Sequence, residues 1–300
     1  MVWALGLTVR NYRVRFLFMD SALLLIMIVG SCASILLNLA KGVQKMKVKV
    51  LGKGWAMFSP PYRRDFLIWL GSVAMAILAA ALYSLALKMT DKSSMVSALG
   101  GIGLIGLVLF AWLVLKEHLG KRELLGVGLI IVGTSTLGYF NVPLTKGQAY
   151  NLFWLGAWLA GMALFLSLLC IYSILTRKLH GFAFGALAGN LIGIAMIFGD
   201  MALVKSGNSL LRQFQNVYVY LALLFSVSAL ATTQYAFWRS TALVVVPTIN
   251  TFMILVPVLL DYLVFGTALQ APQYAGVAVI VGGVLILTTS REELLLEKKA

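Results

Sequence analysis

Acidic residues are scarce in this chain, ten Asp and Glu against 24 Lys and Arg in 300 residues, and charged residues of either sign make up only 11% of it. A chain so poor in charge and 61% hydrophobic has too little polar surface to cover a globule in water. Its mean hydropathy of +0.95 points to lipid as the solvent instead. The two cysteines, Cys32 and Cys170, each fall inside an apolar run, which excludes a disulfide framework; without histidine neighbours they suggest no metal site either. Catalytic signatures are missing as well: there is no HExxH, no P-loop, no Ser/His/Asp arrangement and no GxGxxG after a strand. The expectation is a protein that is not an enzyme and carries no cofactor or metal. Any solute movement would then draw on an ion gradient, exchange or passive flow.

What the chain does have is a succession of apolar runs near bilayer-spanning length. Lipid offers the backbone no hydrogen-bond partners, and runs of about 20 residues without strict alternation read as helices rather than barrel strands. We read nine spans, at 21–40, 66–87, 94–115, 124–140, 151–175, 182–204, 217–237, 243–264 and 274–289. The fold class expected is an all-α integral membrane protein. Its parts are an interfacial tail (1–20), a first transmembrane repeat of four helices (21–140), a second of five (151–289) and a cytoplasmic tail (290–300). A further span before Asp20 is excluded, because Arg10, Arg13 and Arg15 would each cost about 3 kcal/mol in hydrocarbon.

Basic residues orient these spans. Five segments share one side: Lys41 to Asp65, Lys116 to Glu123, Thr176 to Gly181, Trp238 to Ala242, and the C-terminal tail. They hold 16 of the 24 Lys and Arg. The positive-inside rule makes that side cytoplasmic, with the N-terminus outside, as in a multi-pass protein of the cell (inner) membrane. The net charge of +14 therefore marks topology and attraction to anionic lipid, not nucleic acid.

The most telling pattern is an internal duplication. Ser97 to Leu137 and Pro247 to Leu287 align at a constant offset of 150 residues without a gap. Ten of the 41 pairs are identical, among them Val108/Val258, Leu113/Leu263, Gly126/Gly276 and Gly133/Gly283. The copies face opposite ways in the nine-span topology, which is the trace of an inverted-repeat transporter. Backbone irregularities sit at matched positions: Pro247 and Pro257 in one copy, Gly100, Gly101, Gly103 and Gly106 in the other. Such paired interruptions point to a binding site near the bilayer midplane.

Uncharged polar residues around those helices are the candidate substrate-binding set: Tyr83, Ser97, Gly100, Asn190, Gln234, Tyr235, Thr248 and Asn250. Together they describe an aromatic and amide-lined cavity for a neutral or weakly charged organic solute. Asp200 and Asp261, the acidic residues inside the spans, are candidates for proton or cation coupling. Gly185, Gly189 and Gly193 leave a bare helix stripe for close packing, either within the chain or across a homodimer. Trp3, Trp55, Trp69 and Trp154 suit an interfacial aromatic belt.

The unit formed by a helix, Lys116-Glu117-His118-Leu119, Leu125-Gly126 and a second glycine-rich helix resembles the end of the repeat in the drug/metabolite transporter superfamily, the EamA-like fold. Its counterpart runs from Val264 through Leu269 to Gly276 and Gly283, with Thr267 in place of the loop glutamate. Gly30-Ser31-Cys32-Ala33-Ser34-Ile35-Leu36 with Lys41-Gly42, and Thr233-Gln234 with Arg239 and Pro247, are similar to the NIPA-like group associated with magnesium transport. That group's second helix carries an intramembrane glutamate, whereas Phe66 to Leu87 has no acidic residue. The resemblances imply a secondary transporter or exchanger of small organic solutes, with magnesium or another divalent cation as the alternative cargo. Outside that class stands a lipid-flipping accessory subunit or membrane scaffold.

Overall fold

The computed structural model describes residues 21–88, 102–117, 119–140, 151–206, 212, 214–265 and 270–297. Among these the secondary structure is helical throughout: α1 (Ser21–Lys47), a 3-10 segment (Val48–Phe58), α2 (Pro60–Lys88), α3 (Ile102–Leu113), α4 (Lys121–Tyr139), α5 (Leu152–Thr176), α6 (His180–Ser206), α7 (Val217–Arg239), α8 (Ala242–Phe265) and α9 (Ala271–Glu297). Helix starts follow from local chemistry. The Asn151 side chain accepts from the amides of Phe153 and Trp154 at the head of α5, and Asn216 accepts from Tyr218 at the head of α7, which supplies acceptors for otherwise orphaned N–H groups.

Six helices are long and apolar enough to cross a membrane: α1, α2, α5, α6, α7 and α8, while α3 and α9 carry shorter apolar stretches. Their surroundings differ sharply. Of the most apolar window, 72% is buried in α8 but 11% in α2. Leu67, Leu70, Ile77 and Leu78 of α2, and Leu164, Phe165 and Leu168 of α5, stand exposed. Rows of this kind suit lipid tails, and the molecule is a multi-pass helical membrane protein. The main core lies where α3, α4, α6, α7, α8 and α9 converge, around Leu107, Ile130, Phe237, Leu243, Val245 and Ile249.

The helices associate in two similar groups. α1 packs on α2 and α3, α6 packs on α7 and α8, and α4 pairs with α9, while α5 lies against α6 and α8. The α4/α9 pair is made by glycines. A Cβ at Gly126 would come within 2.9 Å of the Gly283 carbonyl and 3.1 Å of Leu287; one at Gly276 would come within 3.1 Å of the Gly133 carbonyl and 3.2 Å of Leu137. Likewise Gly133 faces Ile280 as Gly283 faces Ile130. Each contact maps onto its mate when 150 is added to one residue and subtracted from the other. The four positions, 126, 130, 133 and 137, are identical in both copies and share one helix face. Their pairing with falling numbers on the partner makes the two helices antiparallel.

The bare stripe on α6 is used inside the chain. Gly185 meets Thr248, Gly189 the backbone of Ile249, and Gly193 both Val256 and Pro257 on α8. In the first half the glycines stand on the other member of the pair, with Gly103 and Gly106 of α3 against Ser34 and Ile35 of α1. α8 runs unbroken through Pro247 and Pro257, so these prolines do not divide the helix as a transporter's broken helix is divided. The Pro257 ring abuts Gly193, whose missing side chain leaves it room.

Several ends differ from the sequence expectation. α1 continues past residue 40 to Lys47, because a lysine that ends an apolar run need not end a helix when it finds a partner, as Lys41 and Lys45 do; α9 continues past residue 289 to Glu297. The basic loops gather at one end of the bundle. Lys45 reaches Ser240, Gly52 and Gly181 lie against Trp238 and Ser240, and Glu117 reaches Ala242. Overpacking the glycine crossing should cost about 1–3 kcal/mol. Gly133→Ala and Gly283→Ala are each expected to lower the thermal midpoint in detergent. Gly128→Ala, which meets nothing within 4 Å, is expected to leave it level or raise it.

Candidate functional site: a polar seam along α1

Ser34, Asn38, Lys41, Gln44 and Lys45 recur at the three- and four-residue spacing that lines up one face of a helix. In α1 that face is turned inward: Ser34, Asn38, Lys41 and Gln44 are all buried. Each turn of the stripe engages a different helix. The Ser34 hydroxyl accepts from the Gly103 amide of α3 at 3.1 Å. The Asn38 amide donates to the Ser34 carbonyl at 2.9 Å, and its oxygen accepts from the Asn250 side chain of α8 at 2.9 Å. The Lys41 ammonium donates to Asn250 Oδ1 at 2.6 Å. Gln44 Oε1 accepts from Gln234 Nε2 of α7 at 2.9 Å, and Gln234 Oε1 accepts from the Trp69 indole of α2, also at 2.9 Å.

Gly103 is what lets α3 come close enough to join. A Cβ there would collide with both the backbone and side chain of Ser34 and with the Asn38 amide, so the missing side chain exposes an N–H to the seam. Gly103 and Asn250 thus both meet Asn38, Gly103 together with Ser34 and Asn250 together with Lys41. They belong to the two sequence copies.

At the basic end the seam is closed by helix termini. The Lys45 ammonium donates to the Phe237 carbonyl and, at 2.5 Å, to that of Ser240, at the C-terminus of α7. The Glu117 carboxylate accepts from the Ala242 and Leu243 amides at 2.8 and 3.1 Å, at the N-terminus of α8. Both arrangements set a charge against the helix-end dipole of opposite sign. Glu117, read from the sequence as a loop residue, caps the N-terminus of α8.

The expected substrate set divides. Asn250 and Gln234 belong to the seam. Asn190 is buried in α6 with its side-chain oxygen unpartnered. Thr248 is buried but donates to the Val244 carbonyl of its own helix at 2.7 Å. Tyr235 packs edge-on against Phe184, ring centroids 4.5 Å apart, with Arg239 over its face. Tyr83 lies with Ile26, Val29 and Ala86 in a separate cluster between α1 and α2. Ser97 and Gly100 lie outside the described residues, as do the side chains of Asp200 and Asp261.

Sequence reasoning missed Asn38, Lys41, Gln44 and Trp69. The signal was present in the α1 periodicity, but Lys41 was taken as the first residue of a loop, and Trp69 as part of the interfacial belt. No group of three or more Asp, Glu, His or Cys that could hold a metal ion occurs among the described residues. Removing the α8 cap in Glu117→Ala is expected to destabilise by about 1–2 kcal/mol, read as a lower thermal midpoint at unchanged helical content. Searches of family models, of curated proteins and of solved structures find no match to this chain.

Proposed function

We propose that the chain is a secondary transporter or exchanger that moves a small organic solute by alternating access, with nine transmembrane helices in an inverted repeat. The observation that carries this reading is the exchange of the α4/α9 contacts under the 150-residue offset. Residue i touching j while the copy of j touches the copy of i is what a two-fold axis produces. Because the two helices are antiparallel, such an axis lies across them, and for helices that span a bilayer it lies in the membrane plane. This is the symmetry of inverted-repeat transporters.

The grouping of helices supports a finer version. α1 to α4 correspond to α6 to α9, since α1 packs on α2 and α3 as α6 packs on α7 and α8, which leaves α5 as the unmatched helix that reverses the second set. The gathering of basic loops at one end supports a cytoplasmic C-terminus and an outside N-terminus. Resemblance to drug/metabolite transporters fits this architecture. A divalent cation is the weaker alternative, because the buried Lys41 ammonium would repel it. A lipid-flipping subunit or scaffold would need neither the repeat symmetry nor a buried polar seam between the copies.

The test is flux in proteoliposomes containing the purified full-length protein, screened against amino acids, nucleosides, organic acids, amphiphilic cations and Mg2+. Saturable counterflow of an organic solute is expected, falling at least tenfold in Asn250→Leu at equal protein content. Flux of Mg2+ alone would favour the cation reading, and an absence of all flux the scaffold.

A further inference from the structure

We propose that the transported solute carries an oxyanion, a carboxylate or phosphate group, and that the Lys41 ammonium is its receptor. This rests on the transporter reading. Lys41 is only 7% exposed, and among the described residues its one hydrogen bond runs to the neutral amide oxygen of Asn250. An ammonium has three donors, and a buried charge is ordinarily matched by an opposite charge. Here the surrounding seam consists of amides and a hydroxyl: Asn38, Asn250, Gln44, Gln234 and Ser34.

Lys45, one turn on, differs in the way that matters. It is held by two backbone carbonyls at a helix end, which fixes it as part of the frame. The acceptor of Lys41 is a side chain that can turn away. An arriving oxyanion would replace Asn250 Oδ1 on the ammonium by a charge-assisted bond, roughly twice as strong as a neutral one. The freed Asn250 could then present its amide N–H groups to the same anion. The ammonium lies where α1 of the first copy meets α8 of the second, so anion binding and the approach of the two copies would be one event. A free solute and a lipid phosphate share this chemistry, and the burial of Asn38, Lys41, Gln44 and Asn250 favours the free solute.

The experiment measures thermal stabilisation of the purified full-length protein by sodium succinate, sodium phosphate, choline chloride and magnesium chloride at matched ionic strength, and by phosphatidylglycerol in mixed micelles. Succinate or phosphate is expected to raise the midpoint saturably, with choline and Mg2+ giving none of that effect. The apparent affinity should weaken at least tenfold in Lys41→Gln, partly recover in Lys41→Arg, and stay unchanged in Lys53→Gln, an exposed lysine. Asn250→Asp supplies an internal carboxylate to the ammonium in exchange for the bond donated to Asn38, so it should still fold yet lose the anion response. An undiminished response in Asn250→Asp or Lys41→Gln would overturn the assignment, as would protection by phosphatidylglycerol alone. Saturable flux of neutral or cationic solutes that is indifferent to Lys41→Gln would also overturn it while leaving the transporter reading intact. Lys41-dependent anion binding without any flux would do the reverse.

Discussion

A polar side chain buried where water does not reach costs free energy unless the protein supplies its partner, and in α1 other helices supply it along successive turns of one face. Ser34 binds α3, Asn38 and Lys41 bind α8, Gln44 binds α7 and through it α2, and Lys45 binds the end of α7. The apolar faces of these helices could slide or rotate against one another with little change in free energy, since lipid tails are as apolar as leucine. The polar stripe removes that freedom. It fixes the rotation of α1 and with it the register at which the four neighbours meet.

The glycine crossing of α4 and α9 fixes the other half of the arrangement by a different means. Close backbone approach at Gly126, Gly133, Gly276 and Gly283 brings many atom pairs into dispersion contact at once, and it needs no polar group. The contact is self-complementary, so the same four-residue face serves on both helices. The polar seam has no such symmetry. α1 bears hydrogen-bonding side chains where α6, its counterpart in the proposed repeat, bears the glycine stripe, so the site is lopsided.

Much of the frame was legible in the sequence, and less of the site. Long apolar runs place the helices, and the 150-residue offset singles out Gly126, Ile130, Gly133 and Leu137 because they are identical in both copies. Asn250 and Gln234 stand out as amides in hydrocarbon. Lys41 was hidden by the rule that a lysine ends a span, which holds for a side chain facing lipid but not for one facing another helix's amide. Trp69 was hidden because tryptophan suits both a membrane interface and a buried hydrogen bond. The prolines of α8 lie within a continuous helix: a residue that removes a backbone donor can break one, and here Gly193 on the neighbouring helix gives the Pro257 ring space.

These two kinds of contact differ in how they would yield in the proposed transport cycle. Separating α4 from α9 would forfeit dispersion contacts along a whole helix face, whereas α1 touches α7 and α8 over a short stretch dominated by side-chain hydrogen bonds. Interhelical bonds of this type average about 0.6 kcal/mol each, so the five from α1 to α7 and α8, the two of Lys45 included, amount to about 3 kcal/mol. A ligand can move an equilibrium only by its difference in affinity between two states, and a difference of that size is within reach of one charge-assisted contact. The glycine crossing is therefore the natural pivot and the polar seam the natural opening. A solute that competes for Lys41 would act on the weaker of the two.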